Sequence, residues 1–240
     1  MNATPPRFIY FDAGLTLLRP KPSVGYHYAS VAAEFGAVAD GDRLEKAFLA
    51  VWPALAEVPL NEPGTPPYGR TMEEAREFWK EIVRRTFDLA EQTLPHGPEF
   101  QGALFDRFAE AGSWELFPDV EPALRQLEER GVPWGILSNW DPRLRSILGG
   151  FGLLNRLEAL VISAEVGVEK PSPAIFRAAE EACGGLPPES LALVGDNPTD
   201  DVAGAQAAGW RSFHVRRTRD GNGRGGTDLL DAVRDLLGTE

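Results

Sequence analysis

Two runs decide the fold: LVGDNPTDDVAGA at residues 193–205 and FIYFDAGLTL at residues 8–17. In each run a segment typical of a buried parallel strand stops at an aspartate, Asp196 or Asp12, and turn residues follow. Ligands of α/β sheets bind at the carboxyl ends of such strands. We therefore expect the two carboxylates to meet there and, with a cation between them, to form a site for an anionic substrate such as a phosphate.

Two further strand ends lie between these runs. The segment VPWGILSN at residues 132–139 reads as a strand that ends near Ser138. The segment LVIS at residues 160–163 reads as another, and EKPSP at residues 169–173 follows it and contains Lys170. Each of these features is common by itself, but their order along the chain is informative.

Taken in order, Asp12, Ser138, Lys170 and the segment 196–201 resemble the four-motif signature of the haloacid dehalogenase superfamily, which is dominated by phosphatases with an aspartate nucleophile. The resemblance covers the whole chain. It is greatest to subfamily IA, which carries a helical C1-type cap, and to its poorly characterised hydrolase domain-containing members. These share Ser-Asn-x-Asp-x-Arg-Leu and Gly-Asp-Asn with this sequence. The resemblance implies an α/β fold, a doubly wound parallel sheet with a Rossmann-like core and an inserted α-helical cap.

The composition agrees with that organisation. The 240 residues are 43% hydrophobic, which is enough for a core domain and an inserted cap. The net charge of −12 argues against nucleic acid or an anionic membrane as a partner. Cys183 is the single cysteine, so no internal disulfide forms, and the three histidines form no zinc signature. Neither a signal peptide nor a membrane span is visible, so we expect a cytoplasmic protein. We expect it to be a monomer or a homodimer.

Periodicity places the domain boundaries. Helical patterns run for about a hundred residues after the first strand, far longer than an ordinary connection. We assign residues 20–113 to the helical cap and residues 1–19 and 114–240 to the core. Segments 57–70 and 216–226 read as loops, the second of them mobile and solvated. From Asp119 onward helices and strands alternate, which predicts a parallel sheet. The predicted elements are helix 119–130, strand 133–138, a helix from Asp141, strand 159–163, a helix from Ser172, strand 191–195, helix 198–208, strand 211–215 and helix 229–237.

The candidate nucleophile is Asp12, whose carboxylate would attack phosphorus in line and form an aspartyl-phosphate that water hydrolyses. Attack by an anion on an anion requires charge neutralisation. We therefore expect Mg²⁺ as cofactor, held by Asp12, Asp196 and the backbone carbonyl of Gly14. The carbonyl ligand is implied by the family resemblance and not by the residues alone.

Five further residues receive roles. Thr16 and Ser138 would donate hydroxyl hydrogen bonds to the phosphoryl oxygens. Asn139 would supply a side-chain amide or shape the loop, with helix capping as an equally good reading. Lys170 would pair with the nucleophile and with the transferring group. Asp201 would orient Lys170 or a metal-bound water, which the resemblance favours over direct metal binding.

Gly14 is the main departure from the family pattern. Most phosphatases of this kind carry an aspartate there as general acid and base, and a missing proton donor costs about 10²- to 10⁴-fold in rate. Leu15 also replaces the customary glycine. We expect a hydrolase of a small phosphorylated metabolite that is weak or selective for good leaving groups. One alternative is a 2-haloacid dehalogenase, against which Gly195 and Asp196 argue; another is a catalytically weak binding or regulatory protein, which Gly14 favours.

Overall fold

The computed structural model describes residues 5–56, 70–217 and 228–238. The predicted loop 57–70 therefore lies almost entirely outside the described residues, and so does the predicted loop 216–226 apart from its first two residues. Within the described ranges, no helix combines the length and the apolar character that a membrane span needs.

The described residues form seven strands and ten α-helices. The strands are β1 (Phe8–Phe11), β2 (Leu18–Pro20), β3 (Trp114–Leu116), β4 (Trp134–Ser138), β5 (Ala159–Ile162), β6 (Leu191–Gly195) and β7 (Arg211–His214). The helices are α1 (Val24–Glu34), α2 (Gly41–Ala56), α3 (Met72–Leu89), α4 (Pro98–Arg107), α5 (Val120–Glu129), α6 (Leu144–Gly150), α7 (Ser163–Val166), α8 (Pro173–Ala182), α9 (Gly204–Ala207) and α10 (Leu229–Leu237).

The main sheet has five parallel strands in the order β5-β4-β1-β6-β7. All four residues of β1 are buried, as expected of a central strand covered on both faces. The chain adds β4 and β5 on one side of β1 and then β6 and β7 on the other, so the direction of winding reverses beside β1. This is the predicted doubly wound parallel sheet, and such a reversal is where α/β proteins bind ligands. Strands β2 and β3 form a separate two-stranded sheet.

Aromatic packing fixes α8 against the sheet. The Tyr10 ring of β1 stacks on Trp210 with centroids 5.5 Å apart, and Phe176 of α8 meets the same indole edge-on at 5.3 Å. The Tyr10 hydroxyl also donates to the Ala179 carbonyl at 2.7 Å. Because α8 is held to β1 in this way, the residues just before the helix, including Lys170, are placed at the carboxyl end of β1.

The chain divides into two compact units. One comprises residues 1–19, 116–139 and 155–240 and contains the five-stranded sheet; the other comprises residues 20–115 and 140–154 and is mainly helical. The sequence analysis does not place residues 140–154 in a helical unit. The functional division into core and cap stays a prediction.

Within the helical unit, aromatic side chains join α1, α3 and α4. Tyr28 of α1 stacks on Phe87 of α3 with an interplanar angle of 10°, and Phe87 meets Phe100 of α4 edge-on. Helix α3 begins with a complete capping box, in which Thr71 accepts from the Glu74 backbone while the Glu74 carboxylate accepts from the Thr71 backbone.

A buried ion pair explains why residues 140–154 group with these helices. Arg143 donates to both carboxylate oxygens of Asp141, at 2.9 and 2.6 Å, and the Trp79 indole donates to the same carboxylate at 2.9 Å. The Arg143 guanidinium carbon lies 3.9 Å from the Phe105 ring centroid. Helix α6 was predicted to begin at Asp141 but begins at Leu144. The Arg143 backbone N–H donates to Asp141 Oδ1 at 3.0 Å, and this hydrogen bond holds a turn before the helix.

The predicted helix 198–208 also differs in detail. Residues Pro198–Ala203 form a π-helical segment, and α9 follows it. The Asn197 carbonyl accepts from both Asp201 and Val202, which widens the first turn. The widened turn places Asp201 in the site described below.

Candidate active site

The ends of three neighbouring strands build the site. Asp12 follows β1, Ser138 ends β4 and Asp196 follows β6. The Asp12 backbone N–H donates to the Val194 carbonyl at 2.9 Å, which fixes the end of β1 against β6. Asp12, Asp196 and Asp201 each offer a carboxylate oxygen, and these atoms all lie within 4.8 Å of one another. The structure thus brings together acids that are 184 positions apart in sequence (196 − 12).

Lys170 is the cation of this cluster. Its Nζ lies 2.8 Å from Asp12 Oδ1 and 2.5 Å from Asp201 Oδ1, and it donates to the Leu137 carbonyl at 3.0 Å. An ammonium group has three protons, so these three acceptors satisfy it fully. Lys170 is 3% exposed, and its side chain is therefore held in one position beside the candidate nucleophile.

The two predicted phosphate-binding hydroxyls contact carboxylates. Ser138 Oγ donates to Asp12 Oδ1 at 3.0 Å, and Thr16 Oγ1 donates to Asp196 Oδ1 at 3.2 Å. Both side chains are buried. Each hydroxyl therefore orients one acid of the site, and each lies beside the place where a phosphoryl group bound to these acids would sit.

Asn139 acts on Lys170. Its Nδ2 donates to the Lys170 carbonyl at 3.0 Å, and its Oδ1 accepts from the Lys170 backbone N–H at 2.8 Å. Two antiparallel hydrogen bonds of this kind hold a backbone segment as a neighbouring strand would. Asn139 thus shapes the loop around Lys170, and its predicted contact with the phosphoryl group stays a prediction.

Asp201 also orients Lys170. One of its oxygens pairs with the ammonium, and the other accepts from the Asn197 backbone N–H at 3.0 Å. Gly195 is required by this arrangement, because a Cβ at that position would overlap the Asp201 carboxylate. The glycine before Asp196 therefore has a steric reason that the sequence alone did not reveal.

The turn after Asp12 contains one residue with a positive φ. Among the described residues the positive φ of this turn falls on Leu15, at 54°, and Gly14 is not one of the glycines in that conformation. Leu15 replaces the glycine that the family resemblance leads one to expect there, and a leucine in this left-handed conformation carries strain.

Burial and like charges shift the pKa values of the acids. Burial raises the pKa of Asp196 to about 7, and the charges of Asp12 and Asp201 add to the rise. Burial also raises the pKa of Asp12 to about 6, although the Lys170 charge lowers it. For Lys170 burial lowers the pKa, but the charges of Asp12 and Asp201 outweigh burial and raise the pKa above its usual value. Each member of the Lys170–Asp12 pair therefore favours the charged form of the other.

The donor set fits a magnesium ion. Magnesium prefers oxygen ligands and is commonly bound by one or two carboxylates together with waters. The Lys170 and Ser138 contacts of Asp12 both fall on Oδ1, which leaves Oδ2 for a cation or for nucleophilic attack. Asp12 and Asp196 are the residues that could hold the ion, and the Gly14 carbonyl stays a ligand expected only from the family resemblance. Both oxygens of Asp201 already accept hydrogen bonds, so Asp201 is less suited to be a ligand.

Of two further acids, Glu169 received no role from the sequence, whereas Asp200 reads as a helix-start residue or one that supports the site. Burial raises the pKa of Glu169 to about 7, and the charge of Asp200 adds to the rise. These residues directly precede Lys170 and Asp201, which is the signal that could have identified them. The pair adds negative charge to a region that already holds three carboxylates.

Comparison with known proteins identifies the family. A family model described as haloacid dehalogenase-like hydrolase matches residues 8–209. The chain belongs to the haloacid dehalogenase-like hydrolases. Haloacid dehalogenase-like hydrolase domain-containing protein 3 of Mus musculus is 32% identical over 240 residues, which cover 98% of this chain and 88% of the relative.

A second relative of this hydrolase is named phosphoserine phosphatase. That protein, from Thermus thermophilus, is 39% identical over 147 residues, which cover 60% of this chain and 59% of the relative. Among solved structures, the L-2-haloacid dehalogenase RSc1362 aligns with a TM-score of 0.71 at 24% identity, and the alignment covers 98% of each chain. At that identity the likeness shows a shared fold.

Proposed function

We propose that this haloacid dehalogenase-like hydrolase is a magnesium-dependent phosphatase that acts on a small phosphorylated molecule through an aspartyl-phosphate on Asp12. One observation carries the proposal: Asp196 offers a carboxylate oxygen within 4.8 Å of the nucleophile. Two acids so close, Asp12 buried and Asp196 partly buried, repel each other and repel a phosphate, and a bound cation removes both repulsions. The Thermus thermophilus relative named phosphoserine phosphatase supports phosphate chemistry.

In the first step an Asp12 oxygen attacks phosphorus, the bond from phosphorus to the leaving oxygen breaks, and an aspartyl-phosphate forms. Lys170 and Ser138 both donate to Oδ1 of Asp12 and so orient the carboxylate for attack. The Lys170 ammonium also offsets negative charge that develops on the phosphoryl oxygens. When bound, Mg²⁺ supplies charge neutralisation.

In the second step water attacks the phosphorus of the aspartyl-phosphate, and inorganic phosphate and the Asp12 carboxylate are released. The Ser138 and Thr16 hydroxyls can rotate, because their protons are not fixed by the heavy-atom positions. We propose that both turn from their carboxylates towards the phosphoryl oxygens when substrate binds. Asn139 and Asp201 keep Lys170 in place during both steps.

Gly14 narrows the substrate class, because it has no side chain to protonate the departing oxygen. Substrates whose leaving groups have a low pKa, such as acyl and aryl phosphates, do not need that proton. We therefore propose that these are hydrolysed best. We further propose a cytoplasmic location and a small molecule as partner. The charge of −12 argues against nucleic acid and anionic membranes as partners.

A phosphate-release screen of the purified chain, with Mg²⁺ or with a chelator, tests this function. We expect Mg²⁺-dependent hydrolysis that is abolished in Asp12→Asn and strongly reduced in Lys170→Ala, since these changes remove the nucleophile and its charge partner. Glu181→Gln, on the exposed side of α8, serves as the control and should match the wild type.

Three results would reject the phosphatase. Hydrolysis that survives Asp12→Asn or chelation would show that another site performs the chemistry. Chloride release from 2-chloropropionate without phosphate hydrolysis would identify a dehalogenase, which the absence of an acid at Gly14 also suits. Magnesium binding without turnover of any phosphate would indicate a regulatory protein.

A further inference from the structure

A partly buried ion pair contacts the active-site loop through its backbone. Arg217 lies just beyond β7, and its Nη1 donates to Asp119 Oδ2 at 2.6 Å. Its Nη2 donates to the Thr16 backbone carbonyl at 2.5 Å. The guanidinium carbon lies 4.1 Å from the Phe117 ring centroid, and the side chains of Arg217 and Asp119 are only 13% and 15% exposed.

The contact matters because of what Thr16 does on its other side. Thr16 is fully buried; its carbonyl accepts from Arg217 while its hydroxyl donates to Asp196 Oδ1 at 3.2 Å. The next carbonyl in the loop, that of Leu17, accepts from the Phe117 backbone at 3.0 Å. The loop that follows the nucleophile is therefore fixed through its backbone, and its hydroxyl faces the acids of the site.

Asp119 in turn anchors the arginine. The same Oδ2 that pairs with Arg217 also accepts from the Leu229 backbone N–H at 2.6 Å, at the start of α10. Arg217 thus connects the active-site loop to the first turns of α5 and α10. Its planar fork reaches two acceptors at once, which the single ammonium of a lysine does less well.

We propose that Arg217 is a positioning residue: it holds the Thr16 carbonyl so that the Thr16 hydroxyl stays aimed at Asp196 and at the phosphoryl group. The proposal rests on the phosphatase function described above. A displaced hydroxyl would contact the phosphoryl group less well during the chemical step. We therefore expect the loss to appear in kcat and not in KM. Misplacement of an active-site group by about 1 Å reduces rates by as much as about 100-fold.

The kinetic test uses Arg217→Gln, Arg217→Lys and the matched control Arg216→Gln, which changes the exposed neighbour. We expect kcat to fall about 10- to 100-fold in Arg217→Gln with KM nearly unchanged. Arg217→Lys should recover part of the loss, and Arg216→Gln should match the wild type. Asp119→Asn weakens the ion pair that anchors Arg217, so it should lower the melting temperature and should lower kcat by a smaller factor than Arg217→Gln.

A double-mutant cycle with Thr16→Val shows whether Arg217 acts through the Thr16 hydroxyl. Valine keeps the backbone carbonyl and removes the hydroxyl. In the Thr16→Val background, Arg217→Gln should change kcat by less than about twofold, whereas independent effects would multiply. Full multiplication of the two losses would overturn the proposal and reduce Arg217 to a structural residue.

A crystal structure of Arg217→Gln decides the point without any activity. We expect the distance from Thr16 Oγ1 to Asp196 Oδ1 to lengthen beyond hydrogen-bonding range, and an unchanged distance would overturn the proposal. If the wild type hydrolyses no phosphate, the proposed function fails while this structural result still decides the role of Arg217. If Arg217→Gln does not fold, the same distance and rates are measured in Arg217→Lys.

Discussion

Replacing Lys170 with methionine tests whether the buried charge cluster is held together by one cation. The change removes an ammonium that lies 2.8 Å from Asp12 and 2.5 Å from Asp201, while a long apolar side chain still fills the space. Asp201 is 1% exposed, so its carboxylate would lose its partner where water cannot replace it. Removing one partner of a buried pair costs about 3–5 kcal/mol. For a chain of this size that lowers the melting temperature by about 10 °C.

The loss should depend on pH. In the wild type the raised pKa of Lys170 keeps its stabilising charge in place below the lysine pKa of the unfolded chain, about 10.4, and therefore throughout pH 5 to 8. Without the ammonium, the pKa of Asp12, which burial already raises in the wild type, rises further. The folded variant then takes up protons as the pH falls. The difference in free energy of unfolding between the wild type and Lys170→Met is therefore largest at pH 8 and becomes smaller towards pH 5.

Thermal unfolding followed by circular dichroism, with a chelator at pH 5 and pH 8, measures this difference. Lys80→Met is the matched control, because Lys80 pairs with Glu77 on the surface of α3 and such pairs contribute about 0.5 kcal/mol or less. Two results would refute this explanation. One is a melting temperature of Lys170→Met at pH 8 equal to that of Lys80→Met. The other is a decrease in melting temperature, relative to the wild type, that is the same at pH 5 and pH 8.

Three other changes address single residues. Gly14→Asp should raise kcat/KM for alkyl phosphates more than for nitrophenyl phosphate, by up to about 10²-fold, because it restores a proton donor at a position without a positive φ; an unchanged ratio of the two rates would contradict this. Leu15→Asn should stabilise the chain by about 0.5–1 kcal/mol in urea unfolding, since asparagine tolerates a φ of 54° better than leucine and Leu15 is 53% exposed; a loss of stability would reveal contacts of the leucine side chain. Burial and the charge of Asp200 raise the pKa of Glu169 to about 7 in the folded protein. Between about pH 5 and pH 7 the folded protein therefore keeps a proton that the unfolded chain has lost. The free energy of unfolding of the wild type falls as the pH rises through this range. Because the group is partly solvated, Glu169→Gln should be more stable by about 1 kcal/mol at pH 8 in chelator and equal at pH 4, with Glu181→Gln unchanged at both.

Local patterns were enough to predict the sheet and the position of the main acids. Strand ends at Asp12, Ser138 and Asp196 were visible because apolar runs stop there at turn residues. The rule that ligands meet at the carboxyl ends of parallel strands then brought these residues together. The Ser172-Pro173 start of α8 was visible for the same reason, since a cap followed by proline is a local signal.

Contacts between distant residues were not predictable. Arg217 and Thr16 are separated by 201 positions, and an arginine in a polar run carries no mark of the carbonyl that it contacts. Residues 140–154 group with the helical unit through Asp141, Arg143 and Trp79, and this pairing depends on tertiary packing. The positive φ of Leu15 likewise departs from the preference of its residue type, because the surrounding turn outweighs local propensity.

The central claim is that Asp12 carries the phosphoryl group. The most direct measurement is to incubate the protein with Mg²⁺ and an acyl phosphate, quench in acid, reduce the aspartyl-phosphate with borohydride and locate the modified residue by mass spectrometry. We predict reduction at Asp12 in the wild type and in Glu181→Gln, and none in Asp12→Asn or in the presence of a chelator. Phosphate release without modification of Asp12, or modification of another residue, would contradict the account.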